Sequence, residues 1–115
     1  MNFLIIYILF LLNFTNVHAT VYHAVVEQTN SDPLHTAFMF KIDLKNPYKH
    51  RIIAVSRDLL PLYPNGTKVL VTGTDYDGIY TVRDKMNKRY KNRIDILINK
   101  GMRLGSWKNA KIKKL

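Results

Sequence analysis

The sequence contains no cysteine, so disulfides, thiol nucleophiles and thiolate metal sites are excluded together. It has only one long apolar run, Phe3 to Leu12, and nothing comparable follows it. A second membrane segment is therefore not expected, and the chain beyond the run should be soluble. There is no internal repeat and no long amphipathic helical pattern, which leaves bundles and solenoids without support. Histidine is sparse. His23 and His35 have no spaced partner of ligand type, so neither a metal nor another cofactor is expected. Carboxylates are scarce too, with eight Asp and Glu against eighteen Lys and Arg, a net charge of +10.

What is present begins with a leader. The apolar stretch Phe3 to Leu12 is followed by a polar segment and then Val17-His18-Ala19, the pattern of a secretory signal peptide with a small-residue cleavage site. Ten apolar residues are short for a membrane span, which needs about 20. The reading is residues 1–19 as signal peptide and 20–115 as one exported domain, periplasmic or extracellular. An uncleaved anchor is the competing reading, because no Lys or Arg precedes the apolar run. No Cys follows the leader, which argues against a lipoprotein anchor.

The excess charge is not evenly placed. Residues 83–115 hold twelve Lys or Arg against Asp84 and Asp95, whereas residues 20–82 carry six of each sign. A basic last third points to polyanionic surroundings: wall polymers, acidic lipid headgroups or nucleic acid. A solvated basic face that only aids solubility is the plainer alternative.

The remaining pattern is that of short strands. Residues alternate after Thr20 as far as Val26, and the segment Asn30-Ser31-Asp32-Pro33 breaks the chain into a loop. Arg51 to Ser56 reads as a buried strand, and Ser56 to Leu60 as one helical turn capped by Ser56 and stopped by Pro61. Turns at Asn65-Gly66 and at Asp75 to Gly78 punctuate strands over residues 67–72 and 79–83. Strands are also expected over residues 93–98 and 110–114, with a short helix within Gly101 to Trp107. Six short strands and one or two helical turns give a mainly β fold, a small closed barrel.

Two carboxylates stand where chemistry could occur. Asp84 directly follows a strand and opens the irregular segment Lys85 to Asn92, so a rigid strand could aim it at a ligand; a turn-forming role is the alternative. Asp95 interrupts an apolar strand and must be hydrogen-bonded or paired, which suggests support for the site. Tyr22 and Tyr90 are the candidate surfaces for sugar rings, while Tyr80 and Trp107 read as core or plug residues.

The spacing Asp84-(x10)-Asp95 and the order of the other short elements resemble the three-aspartate (3D) domain family. Those elements are Thr20 to Tyr22, Thr36-Ala37, Ile53-Ala54-Val55, Gly66-Thr67, Arg93-Ile94-Asp95 and Leu104 to Trp107. The resemblance implies a six-stranded double-psi β-barrel, related to membrane-bound lytic transglycosylase A and more distantly to rare lipoprotein A and expansins. It implies peptidoglycan, or another anionic wall glycan, as partner, and Asp84 as a single general acid and base. In a lytic transglycosylase one carboxyl group protonates the glycosidic oxygen and then takes the proton of the muramic acid C6 hydroxyl, which attacks intramolecularly. Ordinary glycoside hydrolysis generally uses two carboxyl groups roughly 5 to 9.5 Å apart. Asp95 would support Asp84, and Thr36, Tyr22, Tyr90, Arg83 and Lys85 would hold substrate, the two cations on its carboxylates.

The chain departs from the family at two places. Ala54-Val55-Ser56 stands where Ala-Val-Asp is usual, leaving Ser56 or Asp58 in place of the first aspartate, and Asp84-Lys85-Met86 replaces Asp-Thr-Gly. The enzymatic reading, a lytic transglycosylase or O-glycosyl hydrolase, therefore competes with a non-catalytic glycan-binding barrel. Nucleic-acid binding through the basic last third ranks third, because export places the chain away from it, and a monomer is expected.

Overall fold

The computed structural model describes residues 13–24 and 32–115. Its strands are β1 (Phe14–Tyr22), β2 (Ile52–Val55), β3 (Lys68–Thr72), β4 (Gly78–Lys85), β5 (Arg93–Leu97) and β6 (Ser106–Lys114). They run around a closed barrel in the order β1-β5-β2-β4-β3-β6. The β1–β5 and β2–β4 pairs are parallel and the other four are antiparallel, so the expected double-psi barrel is what forms. Closure gives every strand two partners, which removes the exposed edge that a short open sheet would carry.

Alternation decides what fills the barrel. Ile53 and Val55 of β2, Val69 and Val71 of β3, and Ile94 and Ile96 of β5 point inward and are fully buried. Strand β2 is apolar on both faces for a reason the sequence pattern does not state. Its outward residues Ile52 and Ala54 sit in a second cluster with Tyr22, Ile42 and Leu97, formed where the segment 34–42 lies over the barrel wall. That segment is held by its own backbone pairs, Ile42 N–H to Leu34 O at 2.8 Å and Thr36 N–H to Phe40 O at 3.0 Å.

Two 3-10 turns complete the structure, Pro47–His50 and Arg57–Leu59. The second is the expected turn after β2. There the Ser56 carbonyl accepts the Leu59 N–H at 2.9 Å, though the Ser56 side chain makes no cap.

Three expectations are corrected. Strand β1 ends at Tyr22 instead of continuing to Val26; Val25, Val26, Asn30 and Ser31 lie outside the described residues, as does the apolar run Phe3 to Leu12. No helix forms over Gly101 to Trp107. A turn at Asn99 to Met102 is followed by β6 from Ser106, and the Trp107 ring folds back over Gly105, where any Cβ would overlap it. Strand β6 is accordingly nine residues long, not the five read from Ala110 to Lys114. Strand β1 begins at Phe14, six residues before the expected leader boundary. Among the described residues no helix is long and apolar enough to cross a membrane.

Because Ile53 is central to the barrel filling, Ile53→Ala is expected to lower unfolding free energy by about 2–5 kcal/mol. A urea titration followed by tyrosine and tryptophan fluorescence measures it, and a loss below 0.5 kcal/mol on the order-of-magnitude scale for surface changes would contradict this core assignment.

Candidate functional site

One lateral row of residues crosses four neighbouring strands. Thr20 of β1 lies opposite Asp95 of β5, Asp95 opposite Ala54 of β2, and Ala54 opposite Asp84 of β4. The two aspartates are thus two interstrand steps apart, about 9–10 Å between Cα atoms. Between them stands only a methyl group, that of Ala54. The result is an open cleft of about 650 Å3 on the outer wall, with Asp84, Ala54, Asp95 and Tyr22 on its floor.

Asp84 reaches this face because of a bulge. Ile53 pairs with Val82 but Ala54 pairs with Asp84, so Arg83 is an extra residue in β4. Were 82, 83 and 84 to alternate in a regular ladder, Asp84 would point with Val82 toward the barrel interior; bulges commonly re-aim a side chain in this way.

Three donors bind the Asp84 carboxylate, two at Oδ1 and one at Oδ2, which leaves Oδ2 able to accept another. Its Oδ1 accepts the N–H of Ala37 at 2.8 Å and of Lys85 at 2.9 Å, and its Oδ2 accepts the Tyr22 hydroxyl at 3.0 Å. It therefore does what a turn-forming aspartate does, and also ties the segment 34–42 to the barrel. Burial raises its pKa, and the Ala37, Tyr22 and Lys85 donors act in the opposite direction. Asp95 accepts the Thr20 hydroxyl at 3.0 Å, and burial pushes its pKa up to about 7 against the opposing effects of Thr20 and Arg93. Burial, with Asp84 beside it, also raises the Tyr22 hydroxyl well above its ordinary range, so Tyr22 is a donor at any working pH.

The remaining candidates divide. Lys85, Thr36 and Tyr90 line the cleft with Tyr22. Thr36 is buried, and its hydroxyl accepts the Phe40 N–H at 3.1 Å, so it shapes the wall. Tyr22 is nearly buried and presents its hydroxyl edge, not a ring face. Tyr90 has the guanidinium groups of Arg89 and Arg93 over its ring, 4.7 and 4.5 Å from the centroid. Neither tyrosine offers the open platform expected of it.

Arg83, Asp58 and Ser56 do not join the site. The Arg83 guanidinium lies over Phe40, 5.4 Å from its centroid, and reaches Asn65. Asp58 accepts the Asn92 N–H at 2.9 Å, and the fully buried Ser56 hydroxyl accepts the Arg93 N–H at 3.0 Å. Both therefore fasten the turn after β2 to the start of β5. Sequence reasoning passed over Ala54, whose small size opens the floor, and Arg89, which lines the cleft from the irregular segment after Asp84. The charge run around Arg89 was visible; its direction was not. His35 lines the cleft beside Asp32, at 3.5 Å, and the described residues contain no group of three His, Asp or Glu able to hold a metal.

No family model and no curated protein matches the chain. Two solved structures do, at the level of fold. One is an aspartate-to-asparagine variant of Clavibacter michiganensis expansin in complex with cellohexaose, with 14% identity, a TM-score of 0.59, and coverage of 89% of this chain and 50% of that one. The other is the ligand-free form of the same expansin, with 14% identity, a TM-score of 0.55 and the same coverage. This chain thus spans about half the length of those structures, and the likeness is one of barrel architecture.

The pKa of Asp95 carries a sign. The folded protein holds its proton up to about pH 7, the unfolded chain only to its ordinary 3.8. Stability from this group is fully present below pH 3.8, falls as pH rises toward 7, and is level above that. Asp95→Asn should therefore stabilise the protein at pH 8 by roughly 1–4 kcal/mol and add nothing near pH 3.5. Thermal melts of both proteins at the two pH values measure the difference, and an equal effect at both would refute the buried-carboxyl assignment.

Proposed function

We propose that this chain is an exported barrel that holds a wall polysaccharide in the Asp84 cleft without cutting it. The observation that carries this reading is the row Asp95-Ala54-Asp84, two carboxylates lining one cleft with a gap at the alanine between them. Sugar hydroxyls are donors and acceptors in close succession, and the cleft floor can meet them. The expansin, of which about half shares this fold, has been solved in complex with cellohexaose. The resemblance to the three-aspartate family supports peptidoglycan as the glycan, and the leader pattern supports export.

Cleavage by Asp84 alone, in the one-carboxyl manner of a lytic transglycosylase, is the second reading. Its support is the raised proton affinity of Asp84 in the cleft. Against it stand the three donors already bound to that carboxylate, which favour the ionised form over the acid. Moreover, Ser56, at the place of the missing first aspartate, is fully buried with its hydroxyl on the Arg93 N–H, away from the cleft.

Purified protein incubated with peptidoglycan sacculi separates the two readings. Retention of the protein on unaltered sacculi, weakened about tenfold or more, on the scale of one lost charge-assisted hydrogen bond, in Asp84→Asn, is the expected result. Release of anhydro-muropeptides that disappears with Asp84→Asn would establish the enzyme instead, and absence of both retention and product would end the glycan reading.

A further inference from the structure

A neutral glycan is commonly gripped by an open aromatic face, and this cleft does not present one among its described residues. Tyr22 shows its hydroxyl edge, and the Tyr90 ring is already taken by Arg89 and Arg93. In its place the cleft has a cationic rim. Lys85 and Arg89 line it, and the exposed Lys88 and Lys91 belong to the same segment. Arg93 is occupied, its guanidinium donating to the Thr20 hydroxyl at 3.2 and 3.3 Å while lying over Tyr90.

Arg89 is differently placed. One of its terminal nitrogens donates to the Tyr90 hydroxyl at 2.7 Å, which fixes the planar fork at the cleft edge, and the side chain remains exposed. A guanidinium held in one orientation is suited to two-pronged contact with a carboxylate. The carboxylates that face these cations, Asp84, Asp95 and Asp32, already accept bonds from Tyr22, Thr20 and the backbone of residues 34, 35, 37 and 85. None of the three forms an ion pair with Lys85 or Arg89.

We propose that the cleft selects glycans that carry carboxylates over neutral ones, with Arg89, aided by Lys85, as the residue that reads the charge. This inference rests on the glycan-holding reading. The floor row would meet hydroxyls of the strand and the rim its acidic substituents, so the two halves of the site divide the recognition.

Calorimetric titration with a linear hexa-uronide, with the same oligosaccharide after reduction of its carboxyl groups, and with inorganic polyphosphate tests it. The uronide should bind at least tenfold tighter than its reduced form, and the double variant Arg89→Gln, Lys85→Gln should erase most of that gap while melting as the parent does. Lys111→Gln on β6, outside the cleft, should change the gap less than twofold. Equal binding of uronide and reduced oligosaccharide would overturn charge selection and leave the glycan reading standing. Failure of both to bind would remove the glycan reading itself, and polyphosphate bound as tightly as the uronide would overturn selection by showing plain charge attraction.

The other end of β1 carries a separate inference. Residues Val17 and Ala19 are buried in the barrel core, Phe14 to Val17 pair with β6, and the Thr15 hydroxyl meets that of Tyr63 at 2.6 Å. A cut after Ala19 would remove six of the nine residues of β1 and open the barrel along β6. We infer that residues 14–19 belong to the folded domain and that export processing falls upstream of Phe14. Sequencing the N-terminus of protein recovered from the medium of an exporting host decides this. A cut that leaves a start after Met1 and at or before Phe14 agrees; an uncut chain, or a folded product beginning at Thr20, overturns it.

Discussion

Ring closure is the constraint from which the rest follows. A small domain from a chain of 115 residues without cysteine has a narrow stability margin. Joining β6 to β1 satisfies both edges of the sheet at once and encloses a continuous apolar filling. The closed wall is also stiff enough to present side chains on its outside at fixed spacing. The cleft therefore costs the barrel little, since its floor is simply one row of the wall's outer face.

Onto that wall the chain places two carboxylates in a protein otherwise dominated by cations. Burial favours their protonated forms, and donors from β1 and from the segment 34–42 favour the ionised ones. The balance differs between the two. Asp84, with three donors, is chiefly a fastening point and hydrogen-bond acceptor. Asp95, with the Thr20 hydroxyl as its bonded donor, keeps its proton further up the pH scale. Two like residues in one row are thus held by different partners, and burial raises the pKa of both.

Much of the barrel was legible in advance because period-two alternation is a local property. Val69 and Val71, or Ile94 and Ile96, announce an inward face without knowledge of their partners. The helix expected near Trp107 failed because the fold of that ring over Gly105 depends on Tyr76, distant in sequence. The site was legible only in part for the same reason. Asp84 and Asp95 were identifiable by type and position, but the extra residue at Arg83 that turns Asp84 outward is set by pairing with β2. Nor could alternation say that Ser56 and Asp58 would be spent on the backbone of Arg93 and Asn92, or that two arginines would cover Tyr90.

The first and last strands lie side by side and run in opposite directions, with Phe14 opposite Lys113. Tyr22, at the far end of β1, lies at the cleft, eight residues or about 26 Å along the strand from Phe14. Both ends of the folded unit consequently lie near one end of β1, while the Asp84 cleft lies toward the other. Such a body can be hung from a neighbouring module or a surface by either terminus, or spliced into a longer chain, and still keep its mouth unobstructed.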